Sequence, residues 1–179
     1  MRVLRALLVA LVLIAVVVLA AGLFLPRTVH VERSVVIDAP PAAVYGVVSS
    51  MRRFNEWSPW LERDPNARYE YGGPDSGVGS RMSWSSEQSD VGSGSQEIVA
   101  VVPDRSVTTR LDFGAEGQAD AQIVIEPQGS ASKVTWSFGA NFEDDYLGRY
   151  FGVMMDGLLG PDYEQGLANL KRVVEQSQR

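Results

Sequence analysis

Side chains that could carry catalysis are scarce in this sequence, and their spacing forms no recognisable catalytic set. The chain of 179 residues has one histidine, His30, and no cysteine, so thiol catalysis, thiolate metal sites and histidine-rich metal sites are excluded. A general base has to come within about 2.6–3.2 Å of the proton that it removes. His30 lies on the first predicted strand, just after a long apolar segment, and we interpret it as an exposed residue. We therefore predict no catalytic residue, no metal site and no cofactor.

Carbonyl chemistry is the reaction type for which suitable side chains are present. A cyclase needs hydrogen-bond donors that polarise a carbonyl group and a base that removes the neighbouring proton. Tyr45, Tyr69, Tyr71, Arg110 and Tyr150 carry donors of this kind. Nothing in their spacing gathers them, and Arg110 lies on the polar face of a predicted strand. An enzymatic activity is therefore an alternative to simple binding.

Apolar side chains give a more specific pattern, because they alternate with polar ones along several segments. Val107, Thr109, Leu111 and Phe113 face one way, and the residues between them face the other. This period of two predicts consecutive antiparallel strands with one wet face and one apolar face. The large residues assigned to the apolar face are Met82, Trp84, Leu111, Phe113, Ile123, Trp136 and Phe138.

A glycine-interrupted segment, 146–159, carries the apolar residues that we expect to close over the sheet. Methionine recurs at adaptable binding surfaces, because it is flexible and polarisable. Together with the sheet residues this segment defines a predicted ligand cavity, although the same residues would also suit a filled, dry core. The residues concerned are Phe151, Met154, Met155, Leu158 and Leu159.

Two tryptophans, half of the four in the chain, lie three residues apart in the stretch FNEWSPWLERDP, 54–65. The stretch has no nucleophile–base pair, and Pro59 stiffens the link between Trp57 and Trp60. The two rings form either an aromatic wall or lid of the cavity or a plug of the core. Both alternatives are open here, and we include Trp57 and Trp60 among the predicted cavity residues.

The elements that position these residues begin with a strand and two short helices. Residues 28–38 are rich in β-branched side chains and predict a strand. The prolines that follow are typical of a first helical turn, and helices are predicted over 42–50 and 51–57.

The chain ends in a second helical region after the predicted strands. Gly160-Pro161 predicts the start of the last helix. A curved sheet with one apolar face needs a cover, and this helix is the only predicted element that is long enough. The fold class is therefore α+β. Its apolar stripe consists of Tyr163, Leu167, Leu170 and Val174.

The N-terminal run 6–25, ALLVALVLIAVVVLAAGLFL, carries no charge and no strongly polar side chain. At about 1.5 Å per helical residue it is long enough for the hydrocarbon core of a bilayer, about 30 Å thick. We therefore predict an N-terminal transmembrane anchor, residues 1–26, and one domain, residues 27–179. A cleaved signal peptide is the alternative, although its apolar region normally has only about 7–15 residues.

Charge is distributed unevenly between these two parts. The first 26 residues hold two of the 16 basic residues and none of the 22 acidic ones, so the domain has 14 basic against 22 acidic residues, a net charge of −8. An acidic domain without a basic cluster argues against nucleic acid as a partner. Arg2, Arg5 and the terminal amine flank the span on one side, and Arg27 and Arg33 flank it on the other. The positive-inside rule therefore favours, by a narrow margin, an extracytoplasmic domain.

This order of elements, together with several stretches of sequence, resembles the START-like (SRPBCC) helix-grip superfamily, to which the birch-pollen allergen belongs. Within it, the sequence is most similar to the bacterial branch labelled polyketide cyclase/dehydrase and lipid transport. The resemblance covers nearly everything after the apolar span. The stretches that carry it are VERSVVIDAPPAAVYGVV (31–48), FNEWSPWLERDP (54–65), GPDSGVGSRMSW (73–84), SKVTWSF (132–138) and GLANLKRV (166–173).

The resemblance implies a sheet that grips the last helix around an apolar cavity, usually with a hydrophobic ligand, and often an N-terminal membrane anchor. It implies no shared catalytic set. We therefore expect membrane-anchored binding of a lipid or other hydrophobic small molecule, with the bilayer contacted through residues 6–25. A cyclase or dehydrase acting on a polyketide-like substrate, and a structural or protein-interaction module with a filled core, are the alternatives. The sequence indicates no oligomeric state.

Overall fold

The computed structural model describes residues 2–143 and 145–179, so Met1 of the predicted anchor lies outside the described residues. The strands are β1 (Thr28–Ile37), β2 (Arg68–Gly72), β3 (Arg81–Ser85), β4 (Ser93–Val102), β5 (Ser106–Asp112), β6 (Gln118–Gln128) and β7 (Ala131–Asn141). The α-helices are α1 (Arg2–Gly22), α2 (Pro41–Val48), α3 (Trp60–Arg63) and α4 (Tyr146–Ser177), with 3-10 helices at Met51–Glu56 and Gly114–Glu116.

The seven strands form one antiparallel sheet in the order β1-β7-β6-β5-β4-β3-β2. The register places Val31, Phe138, Ala121, Thr109 and Ile98 side by side in one row across five strands. All five side chains are buried, as the alternation of apolar and polar residues requires for the inner face of a half-covered sheet. The predicted antiparallel α+β architecture is therefore confirmed.

Helix α4 covers the inner face of the sheet through the stripe that the sequence predicts. Tyr163, Leu167, Leu170 and Val174 are all at most 2% exposed. Their spacing of three and four residues keeps them on one side of the helix, and α2 adds Val44 to the same core. The structure therefore has the sheet-around-helix arrangement of the helix-grip fold.

The start of this helix is where the sequence prediction was wrong. Helix α4 begins at Tyr146, and Pro161 lies inside it although a proline cannot donate the usual backbone hydrogen bond. Gly148 and Gly152 weaken a helix by intrinsic propensity, but they make room for the ring of Phe142. A Cβ atom on these glycines would lie 2.6 Å and 3.2 Å from that ring. Tertiary packing therefore outweighs the local signal that suggested a break.

Helix α1 stands apart from this core. Its segment Val3–Gly22 is long and apolar enough to cross a membrane, judged by length and composition. Its large apolar side chains are exposed, and its C-terminal end contacts the first turns of α4.

Candidate functional site

A small cavity lies between the inner face of the sheet, the segment 48–60 and α4. Its volume is about 30 Å³. Side chains from eight separate elements meet around it, together with Trp57, which follows the first 3-10 helix. The lining residues are Val48, Met51, Phe54, Trp57, Trp60, Gln96, Thr109, Leu111, Ala121, Ile123, Trp136 and Tyr163.

Five aromatic rings dominate this lining and contact one another. Trp136 lies at the centre, stacked on Tyr163 with 3.8 Å between ring centroids and an interplanar angle of 12°. Trp57 meets it edge-on at 5.0 Å, and Trp60 does so at 5.9 Å. Phe54 contacts Trp57 at 4.8 Å and Trp60 at 6.2 Å. Edge-to-face and stacked pairs at such distances are favourable beyond the area that they bury.

Close backbone approach makes this cluster possible. Gly166 of α4 lies under Trp136, and a Cβ atom at this position would come within 2.7 Å of the indole ring and 3.3 Å of Pro59 Cδ. The glycine therefore lets α4, β7 and the segment that carries both tryptophans meet at one point.

The polar atoms around the cavity are few and uncharged. Gln96 and Thr109 reach it from β4 and β5, and both are buried. Trp57 is 2% exposed, and its indole Nε1 has no hydrogen-bond acceptor among the described residues. Burial raises the pKa of the Tyr163 phenol well above its ordinary value, so this hydroxyl stays protonated.

Charged groups outside the cavity lining join α4 to its neighbours. Arg33 of β1 donates to Asp156 at 2.9 Å and to Glu164 at 2.8 Å, both on α4. Arg63 of α3 donates to Asp162 on the same helix, and burial nevertheless raises the pKa of the Asp162 carboxyl. These bonds fasten the helix on both sides of Pro161.

The structure brings five of the predicted cavity residues to the cavity: Trp57, Trp60, Leu111, Ile123 and Trp136. Met82 and Phe138 lie in the core but do not line it. Trp84 and Phe113 form an edge-to-face pair, 6.0 Å between centroids, near the β2–β3 edge of the sheet.

The predicted covering segment is only partly turned toward the sheet. Met155 and Leu159 pack against the core. Phe151, Met154 and Leu158 are 53%, 61% and 51% exposed, so the structure does not bring them to the cavity. Only residues on the buried side of α4 face the sheet, and these three residues lie on its solvent-exposed side.

Several lining residues were not predicted, namely Val48, Met51, Phe54, Gln96, Thr109, Ala121 and Tyr163. For Thr109 and Ala121 the signal was present, because they alternate in phase with Leu111 and Ile123. A search for large apolar side chains passes over small and polar residues on the same face.

The remaining candidates lie away from this cavity. The His30 side chain is exposed and contacts Glu32 at 3.3 Å, and Arg110 pairs with Asp120 at 3.1 Å. A wider concavity, about 640 Å³, lies on the outer face of the sheet and is lined mainly by polar residues such as Arg81, Glu97 and Arg110. Among the described residues no group of three or more His, Cys, Asp or Glu could hold a metal ion.

Comparison with known proteins agrees with this geometry. Residues 28–175 match the family described as Polyketide cyclase / dehydrase and lipid transport. No curated protein sequence matches the chain.

Solved structures with the same fold are numerous and distant in sequence. The Zhui aromatase/cyclase from Streptomyces sp. R1128 superposes with a TM-score of 0.65 at 14% identity, covering 85% of this chain and 96% of its own. Norcoclaurine synthase from Thalictrum flavum, in complex with dopamine and hydroxybenzaldehyde, gives 0.61 at 14% identity, with 83% and 87% covered. Protein CV1439 from Chromobacterium violaceum gives 0.53 at 19% identity, with 84% and 98% covered. At these identities the likeness shows the fold alone.

Proposed function

Because the chain belongs to the polyketide cyclase / dehydrase and lipid transport family, a hydrophobic ligand-binding fold, we propose that it binds an apolar small molecule or lipid between α4 and the sheet. We further propose that it does so without catalysis and while anchored in a membrane by α1. The single observation that supports this binding site is the aromatic cavity with the buried, unpaired indole nitrogen of Trp57.

The unpaired nitrogen suggests what the ligand contains. A buried donor left without a partner costs about 1–3 kcal/mol. A ligand that brings an acceptor to Trp57 Nε1, such as an ester or ketone oxygen, would recover that cost. The surrounding aromatic and aliphatic side chains would bind the rest of the molecule by apolar burial, at about 25 cal/mol per Å². An apolar molecule with one carbonyl group therefore fits the site best.

Binding requires the site to open. Ligand pockets in proteins usually enclose about 300–1,000 Å³, whereas this cavity has about 30 Å³. Trp60 is the half-buried ring of the cluster and sits on a helix of four residues, α3. We propose that Trp60 swings outward with α3 and that Trp57 stays fixed in the core. This assigns the wall-or-lid role to Trp60 and the plug role to Trp57.

The chemistry of the lining supports binding without reaction. General acid–base catalysis needs a positioned group with a suitable pKa. The described residues around the cavity are apolar or aromatic side chains, one amide and one hydroxyl besides the Tyr163 phenol, whose proton burial retains.

Native mass spectrometry of the full chain, purified from membranes, tests the proposal. We expect a retained apolar ligand, and stabilisation against heat by members of a panel containing a fatty acid, a phospholipid and an aromatic ketone. The substitution Trp57→Phe should weaken binding of the ketone more than that of a hydrocarbon of equal size. A ligand-free mass together with an unchanged melting temperature across the panel would contradict the proposal. Turnover of the ketone would establish the cyclase alternative.

A further inference from the structure

The first half of α4 presents an exposed apolar stripe that covers no other described element. Phe151, Met154 and Leu158 follow one another at three and four residues, so they share one side of the helix. Each is more than half exposed. We call these three residues the apolar ridge. A row of large apolar side chains in water marks an interaction surface.

The side of this half-helix that carries the ridge has few charges nearby. Among the described side chains of residues 146–159, Arg149 and Asp156 are charged. Arg149 is 2% exposed, and Asp156 is bonded to Arg33 at 2.9 Å. The ridge is therefore flanked by uncharged residues, among them the exposed Val153. Such a surface suits lipid chains better than water.

Helix α1 is held directly beside the ridge. The buried guanidinium of Arg149 donates to the carbonyl oxygen of Gly22, the last residue of α1, at 3.1 Å. Tyr150 donates its hydroxyl to the carbonyl oxygen of Val18, one turn earlier. A Cβ atom on Gly22 would lie 3.2 Å from the Tyr150 ring, so the two helices touch. A cation at a helix C-terminus is also favoured by the helix dipole.

We propose that the apolar ridge inserts into the interface of the same bilayer that α1 spans. This inference rests on the anchoring part of the proposed function. If α1 crosses the membrane, its last turn lies at the hydrocarbon boundary, and the contacts with Arg149 and Tyr150 hold the ridge at that depth. Tyrosine is enriched at such boundaries, because its ring is apolar and its hydroxyl is polar. Leu23 and Phe24, which directly follow α1, are apolar and 59% and 88% exposed.

The position of the ridge also specifies where the ligand comes from. A neighbouring side of the same half-helix carries Met155 and Leu159, which pack against the core. One helix therefore separates the lipid from the interior of the domain. The ligand class that this arrangement favours is a molecule dissolved in the leaflet, which reaches the cavity along α4 without crossing water.

The chain has no cysteine, so single cysteines can report the surroundings of chosen positions. Full-length Met154→Cys and Leu158→Cys are labelled with the fluorophore NBD and reconstituted in phosphatidylcholine vesicles with or without a doxyl-labelled lipid as quencher. Leu11→Cys in α1 is the control for the span. Ser130→Cys is the control for water, because it lies in the exposed β6–β7 turn. That turn is separated from the α1 end of the sheet by the length of β1, roughly 33 Å at about 3.3 Å per residue.

We expect fluorescence at positions 154 and 158 to fall on the order of twofold with the quencher, as for a helix that lies in the interface, and to stay unchanged at position 130. If position 11 is quenched and positions 154 and 158 behave like position 130, the ridge is in water and this inference is wrong, while the anchor stands. If position 11 is not quenched, the anchor itself fails. A blue-shifted but unquenched signal at position 154 would mean that a second protein copy covers the ridge, which also overturns the inference.

Discussion

At the scale of single residues, Trp57 combines a role in the core with a proposed role in binding. Its ring contacts Phe54 and Trp136 and is almost fully buried. We expect Trp57→Ala to lower the free energy of unfolding by about 3–5 kcal/mol, because it leaves a large cavity. Trp60→Ala should lower it less, because that ring is only half-buried. Urea unfolding in detergent micelles, followed by circular dichroism, measures both. Equal losses would show that the two rings are equally part of the core.

Arg33 makes the attachment of α4 to β1 dependent on pH. Its guanidinium holds the pKa of the Asp156 carboxyl below the ordinary value. A carboxyl group whose pKa is lower in the folded state stabilises the fold above its unfolded pKa, about 3.9, and loses that contribution as the pH falls through the folded value.

We therefore expect Asp156→Asn to lower the free energy of unfolding at pH 7 and to have little effect near pH 3. The ion pair is exposed, so the effect should be small and should shrink in concentrated salt. Unfolding in urea at both pH values measures it. An effect of equal size at pH 7 and pH 3 would mean that the carboxylate charge does not contribute.

At the scale of elements, substitutions at two glycines of α4 can distinguish the effect of packing from that of intrinsic helix propensity. Replacing glycine by alanine inside a helix normally stabilises it by about 0.5–1 kcal/mol. A methyl group added at Gly157 would meet no neighbouring described atom within 4 Å, so Gly157→Ala should be stabilising. At Gly166 the added methyl would meet Trp136 at 2.7 Å, and we expect a loss of about 1–3 kcal/mol from overpacking. Thermal unfolding of the two variants measures the difference, and a stabilising Gly166→Ala would show that the contact is loose.

Helix α4 also shows which parts of an element can be predicted from the sequence. The stripe from Tyr163 to Val174 was predictable, because it depends only on the spacing of apolar residues along a helix. The segment from Tyr146 was not, because Gly148 and Gly152 look like helix breakers until Phe142 is known to lie against them. The inward row through Thr109 and Ala121 was predictable from alternation, but the presence of Tyr163 in the lining of the same cavity depends on where α4 crosses the sheet.

At the scale of the whole molecule, the architecture follows from the order and periodicity of the elements, whereas the volume inside it does not. The sequence is compatible with a hollow interior and with a filled core, because the same apolar side chains can line a cavity or pack tightly against one another. The structure has a small cavity, about 30 Å³, at the place where five aromatic rings meet. Ring orientation, which no sequence pattern specifies, decides that volume. The sequence likewise gives only a narrow preference for the orientation of α1 in the membrane, because arginines flank both of its ends.

The orientation of the whole chain can be measured with two single cysteines, one on each side of α1. We expect the domain to be extracytoplasmic, because the terminal amine adds to Arg2 and Arg5 at the start of the span, against Arg27 and Arg33 at its end, and the more positive flank stays inside. A membrane-impermeant maleimide should then label Ser130→Cys in intact cells and Val3→Cys only after permeabilisation. The reverse pattern would place the domain in the cytoplasm, and any ligand would then come from the inner leaflet.

A mature protein that has lost Val3→Cys would show that residues 6–25 act as a cleaved signal peptide. In that case Arg149 and Tyr150 would lose their partners on α1, and the apolar ridge would have no span to hold it at the membrane.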